Sequence, residues 1–106
     1  MADVMPWSFT IEFDAEKAAR NGYDVDDLYE CANQAVQHYG VTRLARGTWK
    51  AKEDEKVESQ CLSLSLLSRQ KWVMQNIRSL TAYERGTDPI DYIEIVQELF
   101  PERIYT

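Results

Sequence analysis

Large apolar side chains alternate without a break against smaller polar ones in the run Trp7-Ser8-Phe9-Thr10-Ile11-Glu12-Phe13. A period of two predicts a strand with Trp7, Phe9, Ile11 and Phe13 on one face and Ser8, Thr10 and Glu12 on the other. Bulky apolar groups on one side call for helices to cover them. The opposite side has no such need and can face water or a partner.

The period then lengthens. Asp14 to Arg20 reads as a short helix capped by Asp14 and stopped at Asn21-Gly22. A longer helix starts at Asp24, whose carboxylate and the acids behind it suit a helix N-terminus, and runs to Gly40. Along it Val25, Leu28, Ala32, Ala35, Val36 and Tyr39 recur at three- and four-residue spacing, and the central alanines allow close packing on the aromatic strand face.

Period two returns from Val41 to Lys52. Val41, Ala45, Gly47, Trp49 and Ala51 fall on one side, and Thr42, Arg46, Thr48, Lys50 and Lys52 on the other. Arg43 and Leu44 break the pattern, and Gly47 signals a change of register. The charged tetrad Glu53-Asp54-Glu55-Lys56 reads as a loop, and Val57 to Leu66 as a third strand. That strand carries Leu62, Leu64 and Leu66 inward and Cys61, Ser63 and Ser65 outward. Ser68 then opens a helix with Trp72, Val73, Ile77, Leu80 and Tyr83 on its inner face, ending at Gly86. Thr87-Asp88-Pro89 caps a last helix bearing Ile93, Val96 and Phe100 and stopped by Pro101. A competing reading makes Asp91 to Val96 a fourth strand.

The order β-α-β-β-α-α gives an α+β, two-layer sandwich: a three-stranded antiparallel sheet with helices on one face. With the fourth strand it becomes β-α-β-β-α-β, the split arrangement of ferredoxin-like domains, a comparison of architecture alone.

At 106 residues, with four Gly and three Pro, the chain is expected to fold throughout as one domain. Its apolar stretches are far shorter than the ~20 residues of a membrane span. Met1-Ala2-Asp3-Val4 lacks the basic and apolar stretches of a secretory leader. A soluble cytoplasmic protein is therefore expected, with Cys31 and Cys61 as reduced thiols.

The net charge of −6 disfavours general attraction to nucleic acid. The charge is segregated, however: residues 1–40 carry −6, residues 41–86 carry +4 and residues 87–106 carry −4. Opposite patches of this kind suit head-to-tail self-association. The basic middle defines one alternative function, a nucleic-acid-binding accessory protein using Arg46, Lys50, Lys52, Lys56, Arg69 and Lys71, with Trp49 as a stacking ring. Against it, the alternation turns Trp49 inward.

Candidate chemistry is sparse. Cys31 and His38 lie seven residues apart on one helix, about 10 Å between Cα atoms, too far for a thiol–imidazole pair. Cys31, His38 and Cys61 lack the paired spacing of a zinc site, and Asp24, Asp26, Asp27 and Glu30 lack the glycine bend of a calcium loop. No phosphate loop, nucleophile elbow or His-Glu-x-x-His motif occurs. The sequence therefore predicts no catalytic residue, metal or cofactor, and an enzyme or small-ligand protein without a recognisable motif is the second alternative.

The leading expectation is a non-catalytic binding or regulatory protein that acts through the second face of its sheet. Ser8, Thr10, Glu12, Thr48, Lys50, Ser63 and Ser65 are the residues assigned to that face, and a homodimer or another protein is the expected partner.

Overall fold

The computed structural model describes residues 7–51, 56–83 and 89–104, with the side chains of 56–59 left out. The architecture is α+β. The first strand, β1 (Ser8–Phe13), is followed by α1 (Ala15–Arg20), α2 (Val25–Val36) and a 3-10 turn over Gln37–Tyr39. A hairpin of β2 (Val41–Ala45) and β3 (Thr48–Ala51) comes next, then α3 (Lys56–Arg69) and the one-turn α4 (Lys71–Met74). The chain continues into β4 (Ile77–Tyr83), the short β5 (Ile90–Asp91) and α5 (Tyr92–Leu99), with a last 3-10 turn at Pro101–Arg103.

The sheet has five strands among the described residues, not the expected three, in the order β2-β3-β1-β4-β5, with every neighbouring pair antiparallel. Its first four strands follow the split β-α-β-β-α-β order, with β4 supplied by Ile77–Tyr83 and not by Asp91 to Val96. Of the latter stretch only Asp91 is strand, and the rest is helix.

Three local expectations fail, each for a physical reason. Where a single strand is expected from Val41 to Lys52, residues 41–51 form a tight hairpin, because the chain reverses through Arg46 and Gly47, the latter at φ +84°. Val57 to Leu66 is helix: among the described side chains of α3, Gln60, Ser63, Leu64, Leu67 and Ser68 are buried, a stripe at three- and four-residue spacing. Two serines and a glutamine hid that stripe, while the alternation of Leu62, Leu64 and Leu66 mimicked a strand; Leu62 is in fact half exposed. The helix expected from Ser68 to Gly86 breaks after Met74, and Leu80 and Ala82 turn inward while Ser79, Thr81 and Tyr83 turn outward. The Glu53–Glu55 loop, the Gly86 stop and the Thr87-Asp88 cap lie outside the described residues; α5 is capped by Asp91.

One core joins the sheet to all five helices. Phe9, Ile11, Phe13, Trp49 and Leu80 meet Ala18, Leu28, Ala32, Val36, Leu64, Leu67, Val73 and Val96. Phe9 and Trp49 stack with ring centroids 5.5 Å apart, and Phe13 meets Tyr29 edge-on at 5.0 Å. Tyr29, absent from the expected helix stripe, is buried and accepts a hydrogen bond from the Phe13 amide at 3.0 Å. Trp7, expected as the first inward residue, precedes the strand at φ 64° and is partly buried.

Asp14 caps α1 as its sequence position predicts, accepting from the Glu16 and Lys17 amides at 2.9 and 3.2 Å. The Lys17 amide above all, then the Glu16 amide, Arg78 and the Lys17 ammonium, hold its carboxyl below the ordinary value. A depressed carboxyl pKa contributes stability above the ordinary carboxylate range and loses it as pH falls through the folded-state value. Asp14→Asn keeps the capping oxygen without the charge. Its urea midpoint is expected to fall less on acidification than that of the parent chain.

Candidate functional site

The helices cover one face of the sheet, and the other face presents three rows of side chains. The middle row crosses four strands: Thr48 on β3, Thr10 on β1, Thr81 on β4 and Asp91 on β5. Above it run Thr42, Lys50, Ser8 and Tyr83, and below it Glu12 and Ser79. Thr10 and Thr48 share a hydrogen bond between their Oγ1 atoms at 3.1 Å. Asp91 turns its carboxylate to the start of α5, accepting from the Ile93 and Glu94 amides. Ser8, at the end of the central strand between Lys50 and Tyr83, is buried, and Gln60 of α3 donates to the carbonyls of Ser8 and Tyr83.

The strand arithmetic that builds this face is simple. Residues directed inward along β1 are Phe9, Ile11 and Phe13, so Ser8, Thr10 and Glu12 must point away. Trp49 is wholly buried on the core side and donates from Nε1 to Asn33 Oδ1 at 2.8 Å, which sets Thr48 and Lys50 on the open side. Of the seven residues assigned to the face from sequence, these five lie on strands and share it. Ser63 and Ser65 do not: both belong to α3, and Ser63 is fully buried in the helical layer. Their places are taken by Ser79, Thr81 and Tyr83, joined by Thr42 and Asp91. The alternation Leu80-Thr81-Ala82-Tyr83 was the available signal for the first three, weakened because alanine is a poor marker of an inward position.

The described basic residues of the middle segment lie on different elements. Lys50 is on the open face, whereas Arg46 pairs with Asp26 of α2 and lies over the Tyr29 ring, 4.4 Å from its centroid. Arg43 donates to Glu30 at 2.8 Å, a hydrogen bond that holds the Glu30 carboxyl below its ordinary value. Arg69 and Lys71 are exposed where α3 gives way to α4. Lys52 and the side chain of Lys56 lie outside the described residues.

Cys31, Cys61 and His38 are exposed, and no group of three His, Cys, Asp or Glu among the described residues is placed to hold a metal ion. On the helical side, an open pocket of about 120 Å³ is lined by Lys17, Met74, Ile77, Arg78, Ile93 and Ile104. Its cations are engaged: Lys17 donates to the Ile77 carbonyl at 3.2 Å, and Arg78 lies 3.7 Å from Asp14. No described helix is long and apolar enough to cross a membrane. No protein-family model matches the chain, and no curated protein is significantly similar to it.

Proposed function

We propose that this is a non-catalytic binding protein whose working surface is the open face of its sheet. The observation that carries the reading is the threonine row Thr48, Thr10 and Thr81, which crosses three adjacent strands on the side away from the core residues Phe9, Trp49 and Leu80. A sheet face that only meets water generally carries long charged side chains. Here Lys50 and Glu12 are the charges left to it once Asp91 is committed to α5.

Threonine suits contact for two reasons. Its branched side chain has few rotamers to lose, so burying it costs less conformational entropy than burying lysine or glutamate. Its short hydroxyl keeps a face flat enough for a second sheet or an extended segment to approach and hydrogen-bond.

Hydroxyl-radical footprinting in extract of the native host, with dilute purified protein as reference, tests the reading. Tyr83 on the open face is expected to be protected, while Leu62 and Leu99 on the helical side keep their reactivity. Thr10→Arg should abolish that protection without changing the far-ultraviolet circular dichroism. Equal labelling of Tyr83 in both conditions overturns the proposal.

A further inference from the structure

We infer that the occupant of the open face is a second copy of this chain, bound about a two-fold axis that crosses the strands through the threonine row. The inference rests on the reading of that face as the working surface. It draws on the placement of two charges, Lys50 and Glu12, which have no ion-pair partner among the described residues. Lys50 lies opposite Ser8 at one end of β1, and Glu12 lies opposite Ser79 at the other. Four residues of strand separate the two levels, about 13 Å, so the charges cannot meet within one chain.

Two identical faces can be laid together about two simple in-plane axes, and the charges distinguish them. An axis parallel to the strands keeps each residue at its own level, setting Lys50 level with its own copy and Glu12 level with its own copy. An axis across the strands exchanges the two ends of β1. It carries Lys50 to the level of the partner's Glu12, displaced sideways by one strand spacing of about 4.8 Å, within reach of a lysine side chain. The second pair follows by symmetry, because a two-fold interface is self-complementary.

Between the pairs, Thr10, Thr48 and Thr81 meet their own copies near the axis. Like charges at one level disfavour the first arrangement and opposite charges favour the second, so electrostatics fixes the orientation while the flat hydroxyl rows supply the contact. Twisted sheets packed this way cross at about 30°, which keeps the central row in contact.

Sedimentation velocity over a concentration series, with the chain mass of 12.4 kDa as reference, tests this by charge reversal. The parent chain is expected to sediment at twice that mass at high concentration. Lys50→Glu sets glutamate against the partner's Glu12 at two places, and Glu12→Lys sets lysine against the partner's Lys50. Each single variant should weaken self-association by about tenfold or more. The double variant Lys50→Glu/Glu12→Lys restores both pairs with their signs exchanged and should recover dimerisation. A general loss of fold would not be repaired in that way.

A parent chain that stays monomeric throughout, or single variants that dimerise as well as the parent, overturns the inference. Tyr83 protected in extract while the pure protein is monomeric leaves the broader reading standing and removes this one. Tyr83 unprotected in extract and in concentrated pure protein removes both.

Discussion

Trp49→Ala is expected to destabilise the protein by about 3–5 kcal/mol, a large share of the total stability of a domain this size. The indole is wholly buried, stacks on Phe9 and donates from Nε1 to Asn33 Oδ1. Truncation thus removes a ring from the junction of β1, β3 and α2 and leaves a cavity that neighbouring strands cannot close. Urea unfolding followed by circular dichroism measures the loss. Trp49→Phe separates the contributions, since it retains a ring against Phe9 but no donor for Asn33, and it should cost clearly less than the alanine variant. Asn33 Oδ1 also accepts from Gln37, so the lost donor does not leave it bare. A loss below about 1 kcal/mol for Trp49→Ala would show that the ring is not a core element.

Gly47→Ala is expected to cost roughly 2–5 kcal/mol although it adds one methyl group. The residue sits at φ +84°, where an L side chain is strained, and a Cβ there would lie 2.6 Å from the Ile11 carbonyl oxygen and 2.9 Å from Tyr29 Cε1. The obstruction is backbone of the central strand, held by the hydrogen bond from the Ile11 amide to the Gly47 carbonyl at 2.8 Å. Relief therefore requires the hairpin to move off β1, breaking the β1–β3 pairing that sets Thr48 beside Thr10. Gly22 is the internal control: its φ is +81°, yet nothing lies within 4 Å of the corresponding Cβ. Gly22→Ala should cost only the backbone strain, about 1–2 kcal/mol. Equal melting temperatures for the two variants would refute the close approach.

The legible and illegible parts of this chain differ in what marks them. Residues 8–13 are legible because every inward position of β1 carries a bulky side chain and every outward one a polar group, whereas Trp7 continues the alternation but lies outside the strand. The starts of α1 and α2 were legible because Asp14 and Asp24 satisfy helix amides locally, whatever the rest of the fold does. α3 is hidden in the sequence because its buried stripe includes Gln60, Ser63 and Ser68, which count as surface residues by composition. Gln60 is buried because two carbonyls at the ends of β1 and β4 accept from its amide, a partnership of residues 52 and 23 positions apart. β4 is ambiguous in the sequence because Trp72, Val73, Ile77 and Leu80 fit a helical spacing as well as they fit a turn of helix followed by a strand.

The candidate site divides along the same line. Its β1 and β3 members were found because Phe9, Ile11 and Trp49 fix which way their neighbours point. Its β4 members carry no clear signal because Ala82 is too small to announce an inward position, and Ser63 and Ser65 mimic outward strand residues because they alternate with leucines.

Sequence alone determined the properties that depend on near neighbours: the aromatic strand, the two aspartate caps, and the separation of hydroxyl groups from rings along residues 8–12. Tertiary structure alone decided that Ile77–Tyr83 pairs along the full length of β1, that Gly47 closes a hairpin against it, and that Lys50 and Glu12 stand at opposite ends of the face they share. The physical reason is that a strand is stable only through hydrogen bonds to other strands, so its existence depends on which distant segment supplies them, whereas a capped helix satisfies most of its backbone within itself.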